Sequence, residues 1–152
     1  KTGYHPARIV FSSDNKIPSN SYFFQHSTET RSIVVVSGGD SSEIKKESSI
    51  EYWYTGQTDK IRSLQEFVQM AYQQNLTSIF LEGGQRIASR FLQAGLVNRI
   101  YLFYGSKILG DGKDGISFSE GLPIDECMSL KGIKLQAFGT DFLISGTPQL
   151  KL

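Results

Sequence analysis

One stretch limits the folds open to this chain: Ser78 to Leu96, SIFLEGGQRIASRFLQAGL. Ser78-Ile79-Phe80-Leu81 is a short apolar run of strand type, broken by Glu82-Gly83-Gly84. From Gln85 the apolar residues fall at Ile87, Ala88, Phe91 and Leu92, which is the spacing of one helix face, and Gly95 stands where such a helix stops. Strand, paired glycine, helix is an arrangement in which unpaired backbone N–H groups and the positive end of a helix dipole meet an anion. Gly83 and Gly84 carry no Cβ to hold a phosphate away from the main chain. Glu82, at the carboxyl end of the strand, then faces the crevice where open α/β sheets bind ligands. The same pattern also makes plain tight connections, and the full G-x-G-x-x-G fingerprint is absent.

The flanking elements set the class. Arg8–Ser12 reads as a first strand after Pro6. The polar residues from Ser12 to Asn15 and from Pro18 to Ser21 then form a loop. Ser32–Val36 is a second strand, and its unbroken Ile33-Val34-Val35-Val36 suits a parallel interior buried on both faces. It ends at Ser37-Gly38-Gly39-Asp40, and Ile50–Tyr54 is a third, aromatic-rich candidate. Ile61, Leu64, Phe67, Val68 and Ala71 mark one face of a helix from about Asp59 to Gln74. Asn98–Tyr104 is a further strand, so the middle of the chain reads β-α-β-α-β with parallel strands. The glycine-rich stretch from Gly105 to Gly115 is a surface loop. Ile133, Leu135 and Ala137 alternate with polar neighbours, the chain turns at 138–141, and Phe142-Leu143-Ile144 returns as an antiparallel partner. The expected architecture is α/β, with a mixed, mainly parallel sheet and an antiparallel C-terminal hairpin.

Composition excludes several classes. The 152 residues suit one domain with a substantial core, and 39% hydrophobic with 20% charged residues is a globular balance. A net charge of +1 gives no basic field for nucleic acid or for an acidic membrane surface. No apolar run is long enough to cross a bilayer, and the first residues do not read as a charged-then-apolar leader. The single cysteine, Cys127, allows no internal disulfide and no cysteine-pair metal site, which points to a reducing cytoplasm.

Other reactive residues give weaker signals. His5 and His26 lie far apart in polar, exposed segments, and neither has a second ligand at helical or hairpin spacing, so no metal is expected. Cys127 has acidic neighbours, Asp125 and Glu126, which disfavour a thiolate; a buried apolar role suits it better than a nucleophilic one. No serine sits in a G-x-S-x-G elbow. Lys107, Asp111 and Asp114 match no calcium-loop spacing and read as a solvated turn. Glu82 stands apart, a carboxylate at a strand end with no evident structural partner. Ser13 and Ser37 also end strands, where hydroxyls can reach a ribose or phosphate.

Together these phrases resemble a known family. Ile79–Gly112 is similar to the C-terminal reductase domain of the bifunctional riboflavin-pathway deaminase–reductase, through Leu81-Glu82-Gly83-Gly84, Leu92-Gln93-Ala94-Gly95-Leu96-Val97 and Lys107-Ile108-Leu109-Gly110-Asp111. Upstream, the strand from Pro6 to Ser13 looks like the family's Pro-x-Arg-Val-Val-Leu-Asp-Ser, and the stretch from Asp141 to Gly146 looks like its closing strand. The resemblance implies a three-layer α/β/α fold like that of dihydrofolate reductase. It also implies NADPH-dependent reduction of 5-amino-6-(5-phosphoribosylamino)uracil to its ribitylamino product, with hydride passing from nicotinamide C4 to the sugar C1′. Carried over by position, Glu82 matches a substrate-contacting carboxylate and Ser13 a cofactor-contacting serine. Gly84, Gln85, Arg86, Ile87 and Ala88, with Gly83 beside them, match the segment that wraps the NADPH pyrophosphate. Arg86 and Arg90 are candidates for a 2′-phosphate, and a homodimer is the expected assembly, with Tyr101-Leu102-Phe103-Tyr104 as a candidate edge.

The chain also departs from the family. Ser12 replaces a common Asp, Asn98-Arg99 replaces Asp-Glu, and Ser106 replaces Pro. The family's reductase begins earlier, with a further strand and helix after a zinc deaminase domain, whose H-x-E and P-C-x-x-C signature does not occur in this sequence. By this comparison residues 1–152 are a single reductase domain that begins part-way. Two alternatives stand beside the reading: a stand-alone reductase of the same fold acting on another substrate, and a non-catalytic piece that keeps fold and dimer contacts.

Overall fold

Side chains alternate across a strand, so a strand apolar at every position needs cover on both faces. β2 (Ser32–Ser37) is such a strand, buried from Ser32 through Val36. In the computed structural model, which describes residues 5–39, 41–118 and 123–149, it lies between two parallel neighbours. These are β1 (Arg8–Ser12) and β4 (Ile50–Thr55), with Val10 opposite Val34 and Val34 opposite Tyr52. β3 (Glu43–Glu47) runs antiparallel to β4 and ends the sheet, giving the order β1-β2-β4-β3. Asp40, read as part of the turn after β2, lies outside the described residues.

One face of this sheet is covered by α2 (Lys60–Gln73). The helix starts where the Asp59 carboxylate accepts from the Arg62 N–H at 2.8 Å. Its apolar stripe buries Leu64, Phe67, Met70 and Ala71. The fully buried Phe67 ring meets Phe11 edge-on at 5.0 Å and Trp53 at 6.2 Å, both from the same sheet face. The other face holds Val34, Val36, Ile50 and Tyr52, with Ile17, Phe23 and Tyr54 packed against them. Phe23 belongs to α1 (Tyr22–Gln25), a single turn that the loop reading of this region did not foresee.

An ion-pair cluster closes the amino end of the sheet. Arg31 holds Glu51 through two bonds of 2.9 and 3.0 Å, and Trp53 Nε1 also donates to Glu51 Oε2 at 3.0 Å. Bonding to Arg31 lowers the Glu51 pKa below its ordinary value against the opposing effect of burial, with Trp53 assisting. Arg31 also reaches the Gln74 carbonyl and lies over the Trp53 ring.

The chain divides into two compact units, Lys1–Ser78 and Ile79–Leu152. The second holds α3 (Gln85–Gln93) and a three-stranded antiparallel sheet in the order β5-β7-β6. Its strands are β5 (Ile100–Tyr104), β6 (Ser129–Phe138) and β7 (Asp141–Gln149). Leu102, Ile144 and Leu135 stand in one cross-strand row. Two residues along, on the same face, the Tyr104 and Phe142 rings stack at 5.1 Å. The hairpin turns at Gly139, whose φ of 62° needs a glycine, and the register slips between Lys131 and Lys134.

The mixed α/β class, both long helices and the hairpin agree with the sequence expectation; besides α1, three details do not. Ser78–Leu81 joins no ladder, and Ile79 and Phe80 are exposed, because this apolar run has no hydrogen-bonded neighbour among the described residues. β5 pairs antiparallel with β7 instead of continuing a parallel series. β3 was missed because EIKKE has no apolar alternation; it is an edge strand, exposed at every position.

Candidate functional site

The site is built on the start of α3. Its N-cap is Gly84, which has no side chain to bond the first turn, and no acidic residue lies in that turn. Ile87 and Ala88 return their N–H groups to the Gly84 carbonyl at 3.1 and 3.3 Å. The N–H groups of Gln85 and Arg86 have no partner among the described residues. A helix end of this kind carries unclaimed donors and a positive partial charge.

The two glycines serve different ends. A Cβ on Gly83 would overlap Ile87 Cγ2, one turn along the helix, so the chain passes too close to α3 for any side chain there. A Cβ on Gly84 would meet nothing within 4 Å, and its φ of −68° suits any residue. Gly83 is therefore explained by packing, whereas no packing constraint explains Gly84, which leaves the approach to the amides open. Glu82, just before them, is exposed and has no hydrogen-bond partner among the described residues. Arg86 is exposed on the first turn, Arg90 is half-buried on the last, and Ile87 and Ala88 are half-buried against the unit.

The far end of α3 closes as the sequence suggests. Gly95 takes φ 66°, its N–H bonds Leu92 O at 3.0 Å, and Leu96 N–H bonds Phe91 O at 3.0 Å. A cavity of about 220 Å³ lies at that end, lined by Leu92, Gly95, Val97, Met128, Pro148 and Gln149. It lies at the opposite end of α3 from the Gly84 turn and its amides.

Sequence reasoning missed Ser89. It is 4% exposed, donates to Gln85 O at 2.7 Å, and accepts from the Ser117 N–H at 2.9 Å. The signal was there, a serine among the buried residues of an amphipathic helix, but its loop partner lies 28 positions away.

In the first unit, Ser13 is exposed just past β1, beside Ser12, which donates to Asp14 Oδ1 at 3.1 Å. Ser37 ends a hydroxyl chain at the carboxyl end of β2: Thr55 Oγ1 lies 2.7 Å from Ser63 Oγ, which donates to Ser37 Oγ at 3.0 Å. Ser37 then keeps its own proton to donate outward.

Among the described residues no three His, Cys, Asp or Glu side chains group as a metal set. His5 is exposed, but His26 is half-buried, because its ring stacks on Tyr22 at 3.9 Å. Cys127 is exposed rather than buried, since it follows the short turn Ile124–Glu126 on the surface. Asp111 bonds the Gly112 N–H at 2.7 Å, as in a solvated turn.

A family model described as the RibD C-terminal domain matches residues 1–144. The chain belongs to that family. Riboflavin biosynthesis protein RibD of Actinobacillus pleuropneumoniae is 26% identical over 144 residues, covering 91% of this chain. The chain spans only 38% of that relative's length. Among solved structures, the Saccharomyces cerevisiae riboflavin biosynthesis reductase Rib7 aligns with a TM-score of 0.71 at 20% identity, over 95% of this chain and 70% of that one. A Thermotoga maritima diaminohydroxyphosphoribosylaminopyrimidine deaminase/5-amino-6-(5-phosphoribosylamino)uracil reductase aligns at 0.66 and 22% identity, over 98% of this chain and 39% of that one. These likenesses carry the fold: a mixed α/β, dihydrofolate reductase-like domain of the RibD C-terminal type. No helix among the described residues is long and apolar enough to cross a membrane.

Proposed function

We propose that this chain is the reductase domain that converts 5-amino-6-(5-phosphoribosylamino)uracil to its ribitylamino product with NADPH. The observation that carries the reading is the start of α3 in a RibD C-terminal domain: behind an unobstructed Gly84 lie two amides with no partner among the described residues, and two residues before it stands an exposed carboxylate. These residues fit a diphosphate. Gln85 and Arg86 offer N–H donors, the dipole of α3 favours the charge, and Gly84 lets phosphate oxygens reach the main chain.

The bound cofactor supplies the hydride that reduces the sugar C1′. The protein's part is to bind and to stabilise. Gly83, Gly84 and the first turn, Gln85 to Ala88, hold the diphosphate, and Arg86 is the candidate partner of a 2′-phosphate. Ser13 is assigned a cofactor contact by its place in the family pattern. Glu82, with no hydrogen-bond partner among the described residues, holds the substrate and stabilises cationic character at C1′ as the ring opens. We assign the protein to the cytoplasm and expect it to act as a homodimer.

The test is kinetic and uses the full-length protein. Glu82→Gln lowers turnover roughly 10²–10³-fold, the loss seen when one transition-state contact is removed, and leaves NADPH affinity nearly unchanged. Equal losses in both would contradict the role given to Glu82. No change in nicotinamide fluorescence at millimolar NADPH would remove the reading altogether.

A further inference from the structure

The described part of the chain after β5, residues 105–118, is held near both of its ends. At its start the Ser106 N–H donates to Asp141 Oδ1 at 3.1 Å, on the first residue of β7. At 117 the Ser117 N–H donates to Ser89 Oγ on α3 at 2.9 Å. Between these anchors lie Gly110, Gly112 and Gly115, where an added Cβ would touch nothing within 4 Å. The apolar pair Ile108 and Leu109 is 101% and 84% exposed. Residues 105–118 are therefore tied near both ends and exposed over most of the length between. One further contact, Gln85 Nε2 to Asp114 Oδ2 at 3.5 Å, brings this segment back to the first residue of α3.

Ser89 is the fixed point on the helix. Serine is a weak helix former at an interior position, and its back-bond to the preceding turn is a known local competitor of the helix. Here that bond, Ser89 Oγ to Gln85 O at 2.7 Å, spends the hydroxyl's only proton. Its lone pairs face outward as the result, and one accepts from Ser117. The serine is buried, so neither bond is exchanged for water.

We propose that Ser89 is a positioning residue for the nucleotide site: by gripping the Ser117 N–H it sets the 105–118 loop beside the first turn of α3, where the loop forms one wall around the diphosphate. The inference rests on the cofactor reading given above and extends it to a segment with no assigned role. It predicts a loop whose order depends on Ser89 and whose order in turn governs how tightly a nicotinamide dinucleotide is held.

Two substitutions break the same bond from opposite sides. Ser89→Ala removes the acceptor, and Ser117→Pro removes the donor without touching the helix. In the full-length protein, each raises the Kd for NADPH about 5–10-fold, as expected for one lost hydrogen bond to a buried group, with kcat at saturating cofactor within about twofold. The double variant is no worse than either single one, since the two residues act through one contact. A second readout needs no turnover: tryptic cleavage at Lys107 and Lys113 is slowed by NADPH in the wild type, and in both variants it is faster and less protected by NADPH.

Additive losses, or unchanged cleavage with unchanged Kd, overturn the proposal while leaving the cofactor reading intact. A wild-type protein that binds no NADPH overturns both. A fall in Tm alone, with Kd and cleavage unaltered, shows that Ser89 serves only the packing of the helix and also overturns it.

Discussion

Gly83→Ala tests the turn on which the candidate site depends. The new methyl would lie closer than 3.0 Å to Ile87 Cγ2, with Leu81 Cδ1 at 3.6 Å on another side. Restoring an ordinary contact of at least 3.4 Å requires a shift of more than about 1 Å. Ile87 cannot simply swing aside. It is β-branched and lies in a helix, where one χ1 rotamer dominates, and leaving it costs about 0.5–1.5 kcal/mol. Overpacking of this kind costs about 1–3 kcal/mol, offset by about 0.4–1 kcal/mol from the stiffer unfolded chain. The net loss is about 1–2 kcal/mol, a fall in Tm of about 2–8 °C for a chain of this size. Thermal denaturation of Gly83→Ala, Ile87→Ala and the double variant measures it. Because Ile87→Ala deletes the clashing methyl, the double variant is more stable than the sum of the single losses allows. Strict additivity, or a Gly83→Ala protein as stable as the wild type, refutes the argument.

Gly84→Ala is the matched control: its Tm stays within about 1 °C or rises, since the Cβ meets nothing, while calorimetric titration shows NADPH binding weakened several-fold. The Glu51 carboxyl has a folded pKa below the ordinary 4.5, so Arg31 and Glu51 contribute stability above that value and lose it as pH falls through the folded pKa. Urea unfolding of Glu51→Gln at neutral pH therefore shows a loss of about 1–2 kcal/mol, reduced because Arg31 is one-third open to water, and the gap to wild type narrows below pH 4.5. Thr55→Val leaves Ser63 short of one buried partner and lowers stability by about 1–2 kcal/mol in the same assay.

The sequence made the buried parts of the fold readable and left the exposed and long-range parts obscure. Ile33 to Val36 announced a strand covered on both faces, and the stripe from Ile61 to Ala71 announced α2, because burial imposes a period on the residues it selects. Gly95 marked the end of α3 for a steric reason that needs no tertiary context. α1 is a single turn, too short to show a period, and its start rests on one Ser21 bond to the Phe24 N–H. The apolar run at 79–81 showed strand character without a ladder, since composition sets a preference and only a partner makes a strand. At the site, Glu82 and the paired glycines were visible as a motif. The difference between Gly83 and Gly84 was not, because it depends on where Ile87 falls one turn later. Ser89 escaped for the same reason: its significance lies in the Ser117 N–H that reaches it.

β3 has a consequence for the protein in solution. A strand that ends a sheet shows unpaired N–H and C=O groups to every other chain it meets. Here those groups are flanked by Glu43, Lys45, Lys46 and Glu47, with Lys45 tied to Glu43 at 2.8 Å, and only Ile44 is apolar. An incoming strand would have to strip water from four charges to win a handful of hydrogen bonds. That border of the sheet therefore halts its own extension, so a crowded solution of this protein is protected from fibre growth along β3.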